Sequence, residues 1–303
     1  MTIAHIKDGI DIDYYYRRSN NRITPVIFLN GSIFNYQQWL STYLPAFREL
    51  TREIYPYILY DYQGIGKSSP KNEQFTLQGL ADELLGLLDF LEISKAHLFG
   101  VSKGSMVAQV FSGLYPKRVM SLAGYGIVNL LYPKLNPEDN LFIERYESLK
   151  TLNDIFYENI NSMNYKRIVR TIYTPAVFQK EYLDLSLKEK VMHWILERRI
   201  LPLLDGTPVR TLELLFRYYA QDIQEEIPFY ASCIKSIGNL PILLLNGTHD
   251  KTTPIELARD LKTRLKDAKL IEFEGFEHIS PNIKKKQAKA IMSEYTNFLS
   301  NLE

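Results

Sequence analysis

The sequence predicts an α/β architecture: a mostly parallel sheet covered by helices on both faces, with a helical insertion late in the chain. Three observations carry this. Short apolar runs of strand character alternate with longer segments of helical period, the rhythm of strand-helix-strand units. The 303 residues, 46% hydrophobic and 23% charged, have ordinary globular composition and suffice for one large core. After Leu130 the alternation stops and a long aromatic and aliphatic stretch takes over.

Strands are expected at Val26 to Leu29, Tyr57 to Tyr60, His97 to Phe99, Val119 to Ala123, Ile242 to Leu245 and Lys269 to Phe273. Ile10 to Arg18 reads as a more exposed antiparallel hairpin arm. Leu77, Leu80, Ala81, Leu84, Leu85, Leu88 and Leu91 recur at helical spacing and form one buried stripe, and Ile291, Tyr295, Phe298 and Leu299 repeat that signal near the end. From Leu130 to Ser232 glycines are few and Tyr, Phe, Ile and Leu abound, so residues 130–232 are expected to be a helical insertion into a core built from 1–129 and 233–303. Lys284-Lys285-Lys286 reads as the solvated start of the last helix.

Lys and Arg total 36 against 35 Asp and Glu, which leaves no charge to draw the chain onto nucleic acid or an anionic membrane. A small-molecule partner fits better; the oligomeric state is not written in the sequence. The single cysteine, Cys233, has no intrachain partner and no zinc-ligand spacing around it, and reads as a core residue. The N-terminus lacks the apolar region of a secretory signal, and no apolar run reaches the ~20 residues needed to span a bilayer. Cytoplasmic residence without integral membrane contact is the expectation.

The strongest local signal is Gly100-Val101-Ser102-Lys103-Gly104, between the strand ending at Phe99 and the helix-like segment Ser105 to Tyr115. It is a G-x-S-x-G nucleophile elbow in the strand-turn-helix context that motif requires. A serine hydroxyl needs a base within hydrogen-bond reach and a carboxylate to orient that base. Asp250, in Asn246-Gly247-Thr248-His249-Asp250, and His278, in Gly275-Phe276-Glu277-His278, follow strand ends in the chain order serine, acid, histidine. Of the other histidines, His97 begins a strand, His5 lies in the N-terminal arm and His193 lies in the insertion beside Trp194. His249 shares the turn of the acid and fits a loop-bracing role. The developing oxyanion needs two backbone N–H donors: Lys103, after the nucleophile, and Ser32, from Asn30-Gly31-Ser32 after the first apolar strand. The Lys103 ammonium is expected to find a carboxylate or solvent.

These motifs resemble the α/β-hydrolase superfamily over nearly the full length apart from the insertion. Asp61-Tyr62-Gln63-Gly64-Ile65-Gly66-Lys67-Ser68 is similar to the family's D-x-R-G-x-G-x-S loop, with Gln63 in place of arginine. The resemblance implies that 130–232 is a lid over the site. The common His-Gly of the oxyanion loop stands here as Asn30-Gly31, and with Asn246 to Pro254 this is similar to the acyltransferases that join 3-hydroxyacyl chains in rhamnolipid precursor synthesis. Relatives with dehalogenase or epoxide-hydrolase activity use an aspartate nucleophile, and Ser102 argues against both. The expected activity is hydrolysis of an ester or thioester through a Ser102 acyl-enzyme, without metal or cofactor. Acyl transfer to an alcohol is the alternative, and a non-catalytic ligand-binding or receptor protein on the same fold is the alternative of another class. Tyr157, Tyr165, Tyr173, Phe178, Trp194, Phe216, Tyr218 and Tyr219 in the insertion point to an apolar substrate with a medium or long acyl chain.

Overall fold

A computed structural model of the chain describes residues 2–19, 23–132, 182–207, 209–220 and 222–302. The strands are β1 (Thr2–Ile6), β2 (Ile10–Arg17), β3 (Val26–Leu29), β4 (Tyr57–Tyr60), β5 (Ala96–Val101), β6 (Val119–Tyr125), β7 (Ile242–Gly247) and β8 (Ala268–Phe273). They form one sheet in the order β1-β2-β4-β3-β5-β6-β7-β8. β2 runs antiparallel to β1 and to β4, and from β4 to β8 every pairing is parallel. All six strands expected from apolar runs are present. The segment read as an exposed arm is stitched further in: β2 pairs on both sides, and its Ile12 and Asp13 are buried.

Among the described residues the helices are α1 (Gln37–Leu40), α2 (Tyr43–Leu50), α3 (Leu77–Phe90), α4 (Lys103–Leu114), α5 (Leu187–Ile200), α6 (Val209–Ala220), α7 (Ile227–Ser236), α8 (Ile255–Arg264), α9 (Ser280–Ile283) and α10 (Lys285–Ser300). β3, β4 and β5 are buried along their whole length because both faces of the sheet are covered. One face packs α3, α4, α7 and α8. The other packs α1, α2 and α10, centred on Phe28, Phe47, Phe99 and Tyr295. α3 starts where Thr76 Oγ1 accepts the Gly79 N–H at 3.0 Å, and the Glu226 carboxylate takes the N–H of Leu77. Of its predicted stripe Leu77, Leu80, Ala81, Leu84 and Leu88 are buried and Leu85 and Leu91 half-buried, and Ile291, Tyr295 and Leu299 are buried on α10.

Between β6 and β7 the described elements are helices: α5, α6, α7 and short 3-10 turns beside them. α7 runs across the 232/233 limit and lies against α4, so close that a Cβ on Gly113 would stand 2.3 Å from the Cys233 carbonyl oxygen. Cys233 itself is buried. Tyr157, Tyr165, Tyr173 and Phe178 fall outside the described residues. No helix among the described residues is long and apolar enough to cross a membrane. This topology gathers the loops that follow β3, β4, β5, β6, β7 and β8 at the carboxyl end of the parallel sheet, where open α/β sheets build their sites.

Candidate active site

Ser102 is the single residue between β5 and α4, with φ 54° and ψ −119°. A non-glycine residue held there costs ~1–3 kcal/mol, which the surroundings must impose. They do so by close approach. A Cβ on Gly100 would lie 2.2 Å from the carbonyl of Gly104, and one on Gly104 would lie 2.0 Å from the carbonyl oxygen of Leu29. The Ser102 N–H donates to the Tyr125 carbonyl at 3.0 Å, and the Ser102 carbonyl accepts from the N–H and the Oγ of Ser105 at 2.8 and 2.7 Å. The turn is thereby pinned to β3 on one side and to the end of β6 on the other.

Asp250 and His278 meet across two loops. Asn246, at the end of β7, accepts the Ile127 N–H (2.8 Å) and donates to the Thr253 carbonyl (2.9 Å), which fixes the acid loop to the segment after β6. Within it the Asp250 carboxylate accepts the N–H groups of Thr252 and Thr253 and the hydroxyl of Thr253, each at 2.8 Å. His278 Nδ1 lies 2.7 Å from Asp250 Oδ2. The acid side chain is fully buried and the imidazole 15% exposed. That pairing fixes the ring's tautomer, with the proton on Nδ1 and a lone pair on Nε2. Two residues the motif reading missed shape the pair. Thr253 Oγ1 also stands 3.2 Å from His278 Nδ1, and Gly126 (φ +65°) leaves room that a Cβ would fill 2.9 Å from the ring's Cε1. A glycine directly after a buried strand was the visible signal for the second.

The other histidines stand elsewhere. His97 is buried with Nδ1 2.8 Å from Ser121 Oγ, and burial pushes it down to about 4, so it is a neutral core residue. His193 is buried with Glu197 at 3.6 Å, and His5 pairs with Asp11 at the surface. His249 is 63% exposed and bonded to its neighbour Thr248, as a loop brace would be.

Asn30 is buried between the expected oxyanion loop and the Asp61 loop. Its Nδ2 donates to the Tyr60 carbonyl (2.8 Å) and to Asp61 Oδ1 (3.2 Å), while its Oδ1 accepts from the Trp39 indole (2.6 Å). The Gly31 N–H is taken by Gln38 Oε1 at 3.3 Å. Ser32, half-buried and approached by Tyr219 of α6, follows on the same loop, and a Cβ on Gly31 would lie 3.9 Å from the Val101 carbonyl, so this loop borders the elbow.

Lys103 departs from expectation. The residue is 1% exposed, its Nζ has no hydrogen-bond partner among the described residues, and the ammonium lies over the Tyr62 ring, 3.7 Å from the centroid. Neither solvent nor a direct carboxylate bond holds it. Burial pushes the amine down to about 7 against the attraction of Glu83 and Asp61. Burial likewise pushes Asp61 up to about 8 despite bonds from Tyr36 N–H and Asn30. The cause is the closed space under the Asp61 loop, where Lys71 (3.6 Å) is the nearer cation to Glu83.

The comparisons with known proteins agree with this architecture. The chain is 36% identical over 100 residues to the dihydrolipoyllysine-residue acetyltransferase component of the acetoin cleaving system of Pseudomonas putida, covering 33% of this chain and only 26% of that protein. It is 22% identical to rhodomycin D methylesterase of Streptomyces peucetius over 85% of each chain. The enol-lactonase of Burkholderia xenovorans LB400 superposes with a TM-score of 0.72 at 19% identity, over 99% of this chain and 100% of that one. A family model described as alpha/beta hydrolase fold matches residues 24–281, and the chain belongs to that family.

Proposed function

We propose that the protein is a serine hydrolase that cleaves an ester or thioester of an apolar acyl group through an acyl-enzyme on Ser102. The observation that carries this is the bonded, tautomer-fixed His278–Asp250 pair at the same sheet end as a serine held in a strained elbow. In this reading His278 Nε2 takes the Ser102 proton as Oγ bonds to the acyl carbon, then returns it to the departing alcohol or thiol. Water repeats the sequence in reverse and releases the acid. Asp250 holds the imidazole and stabilises its charged form. The N–H groups of Lys103 and Ser32 receive the negative charge that develops on the carbonyl oxygen. Segment 130–232 acts as a lid over an apolar pocket.

The test is covalent labelling by a fluorophosphonate, with intact mass, alongside turnover of a panel of p-nitrophenyl esters and acyl thioesters. Labelling at Ser102, loss of labelling and turnover in Ser102→Ala, and preference for medium or long chains are expected. Equal turnover by the alanine variant overturns the mechanism, and a rate that peaks at acetyl and falls steadily with length overturns the apolar pocket. Adding an alcohol acceptor separates hydrolysis from transfer: free acid at every acceptor concentration is the hydrolase result.

A further inference from the structure

A cavity of about 460 Å³ lies between α5 and the loop that carries His278. Phe34, Leu203 and Ile279 form its apolar walls, and Arg198, Arg199 and Lys285 supply its charge. Among the described residues no aspartate or glutamate lines it. Arg199 donates to the Ile283 carbonyl at 2.6 Å and so ties α5 to α9. Arg198 stacks its guanidinium 3.8 Å from the Trp194 ring centroid, and Lys285 is the first residue of the 16-residue helix α10, whose dipole adds positive potential at that end. Three cations without a lining carboxylate, on an apolar floor, form a receptor for an anionic group borne on an uncharged arm.

Its position says which part of a substrate that arm is. Ile279 directly follows His278, and Phe34 lies two residues beyond Ser32, so the cavity is lined by the chain segments that carry the base and the oxyanion loop, though not by His278, Ser32 or Ser102 themselves. A base that returns its proton to the leaving group holds the leaving group on its own side. We infer that this cavity binds the phosphate-bearing arm of a thioester's thiol leaving group, of the phosphopantetheine type, with Arg198 and Lys285 on the phosphate and the apolar walls along the arm. This rests on the hydrolase reading for the reaction, though not for the binding. The thiol is a product that leaves and not a resident group.

The experiment is calorimetric titration of the full chain with coenzyme A, 4′-phosphopantetheine and pantetheine, in the wild type and in the double variant Arg198→Gln, Lys285→Gln. Coenzyme A is expected to bind at least tenfold more tightly than pantetheine, with an advantage that shrinks as salt rises and disappears in the variant. Affinity of 4′-phosphopantetheine equal to that of coenzyme A assigns recognition to the phosphate that coenzyme A shares with carrier proteins. Affinity only for the full nucleotide assigns it to free coenzyme A. Equal binding of coenzyme A and pantetheine, or unchanged coenzyme A binding in the variant, overturns the site. A parallel assay of matched acyl thioesters of coenzyme A and N-acetylcysteamine keeps the two readings apart. Inertness toward both, with the expected binding pattern, removes thioester hydrolysis from the proposed function and leaves the site standing. Turnover of both with equal KM removes the site and leaves the hydrolase.

Discussion

Asp250 Oδ2 and His278 Nδ1 stand 2.7 Å apart, and the Thr253 hydroxyl reaches both, 2.8 Å from the carboxylate and 3.2 Å from the ring. The imidazole is thus held by a carboxylate that is itself held by three donors of its own loop. Asp250→Asn keeps the shape but offers the ring a donor where it needs an acceptor. A loss of roughly 10³- to 10⁴-fold in kcat with little change in KM is expected. Thr253→Val removes one bond of about 1 kcal/mol and should cost roughly five- to tenfold. His249→Ala should stay near wild-type rate, whereas His278→Ala should lose as much as Asp250→Asn. The reverse ranking of the two histidines would show that the base was misassigned.

Gly126 is set by the ring it faces. Alanine there brings a strained positive φ and a methyl 2.9 Å from His278 Cε1, so the ring must move. A displacement on the order of 1 Å at a reacting group costs about 10²-fold in rate. Gly126→Ala should therefore slow fluorophosphonate labelling of Ser102 by a similar factor while the circular dichroism spectrum is retained. Labelling at the wild-type rate would show that the ring has slack.

The elbow strain is measurable as stability. Ser102→Gly relieves the positive φ at the cost of the hydroxyl, and it should raise unfolding free energy in urea by ~1 kcal/mol while abolishing labelling. A destabilised glycine variant would mean that the strain relieved at φ 54° is smaller than the entropy glycine adds to the unfolded chain.

Lys103 predicts a pH dependence whose sign follows from its burial. Its amine is pushed down to about 7, below the ordinary lysine value of ~10.4, so the unfolded chain binds the extra proton between those limits and stability rises with pH across them. Asp61, pushed up to about 8, acts in the opposite sense, because stability held by its protonated form is lost as pH rises through that value. Above pH 8 the lysine effect is opposed by Cys233 and by buried tyrosines such as Tyr60 and Tyr62, whose ionisation burial disfavours in the fold, so it is read as a difference between variants. Lys103→Met should melt roughly 2–4 °C higher than the wild type at pH 7, and that lead should shrink as pH rises toward about 9.5. Parallel curves for the two proteins would remove Lys103 as the cause.

Much of this was legible because parallel strands buried on both faces are written as uninterrupted apolar runs, and because the elbow needs its glycines in sequence. β3 and β4 coincide with the runs Val26 to Leu29 and Tyr57 to Tyr60. The depth of β2 was not legible. Its Asp11 and Asp13, alternating with Ile10 and Ile12, read as an arm, yet Asp13 is buried where its N–H donates to Ser68 Oγ, 55 positions away. Lys103 misled for the same reason. Its surroundings come from Tyr62 and Glu83 on other segments, and no local pattern announces that a lysine at a helix start will be closed off.

The contacts at Gly100 and Gly104 lie wholly in the backbone of neighbouring residues, Leu29 among them, and none involves the Ser102 side chain. The elbow is therefore a socket indifferent to what it presents. A cysteine or an aspartate at position 102 would be held at the same angle and in the same place, so the chemistry of this sheet end can be exchanged by one codon, whereas replacing either glycine would remove the place to put any nucleophile.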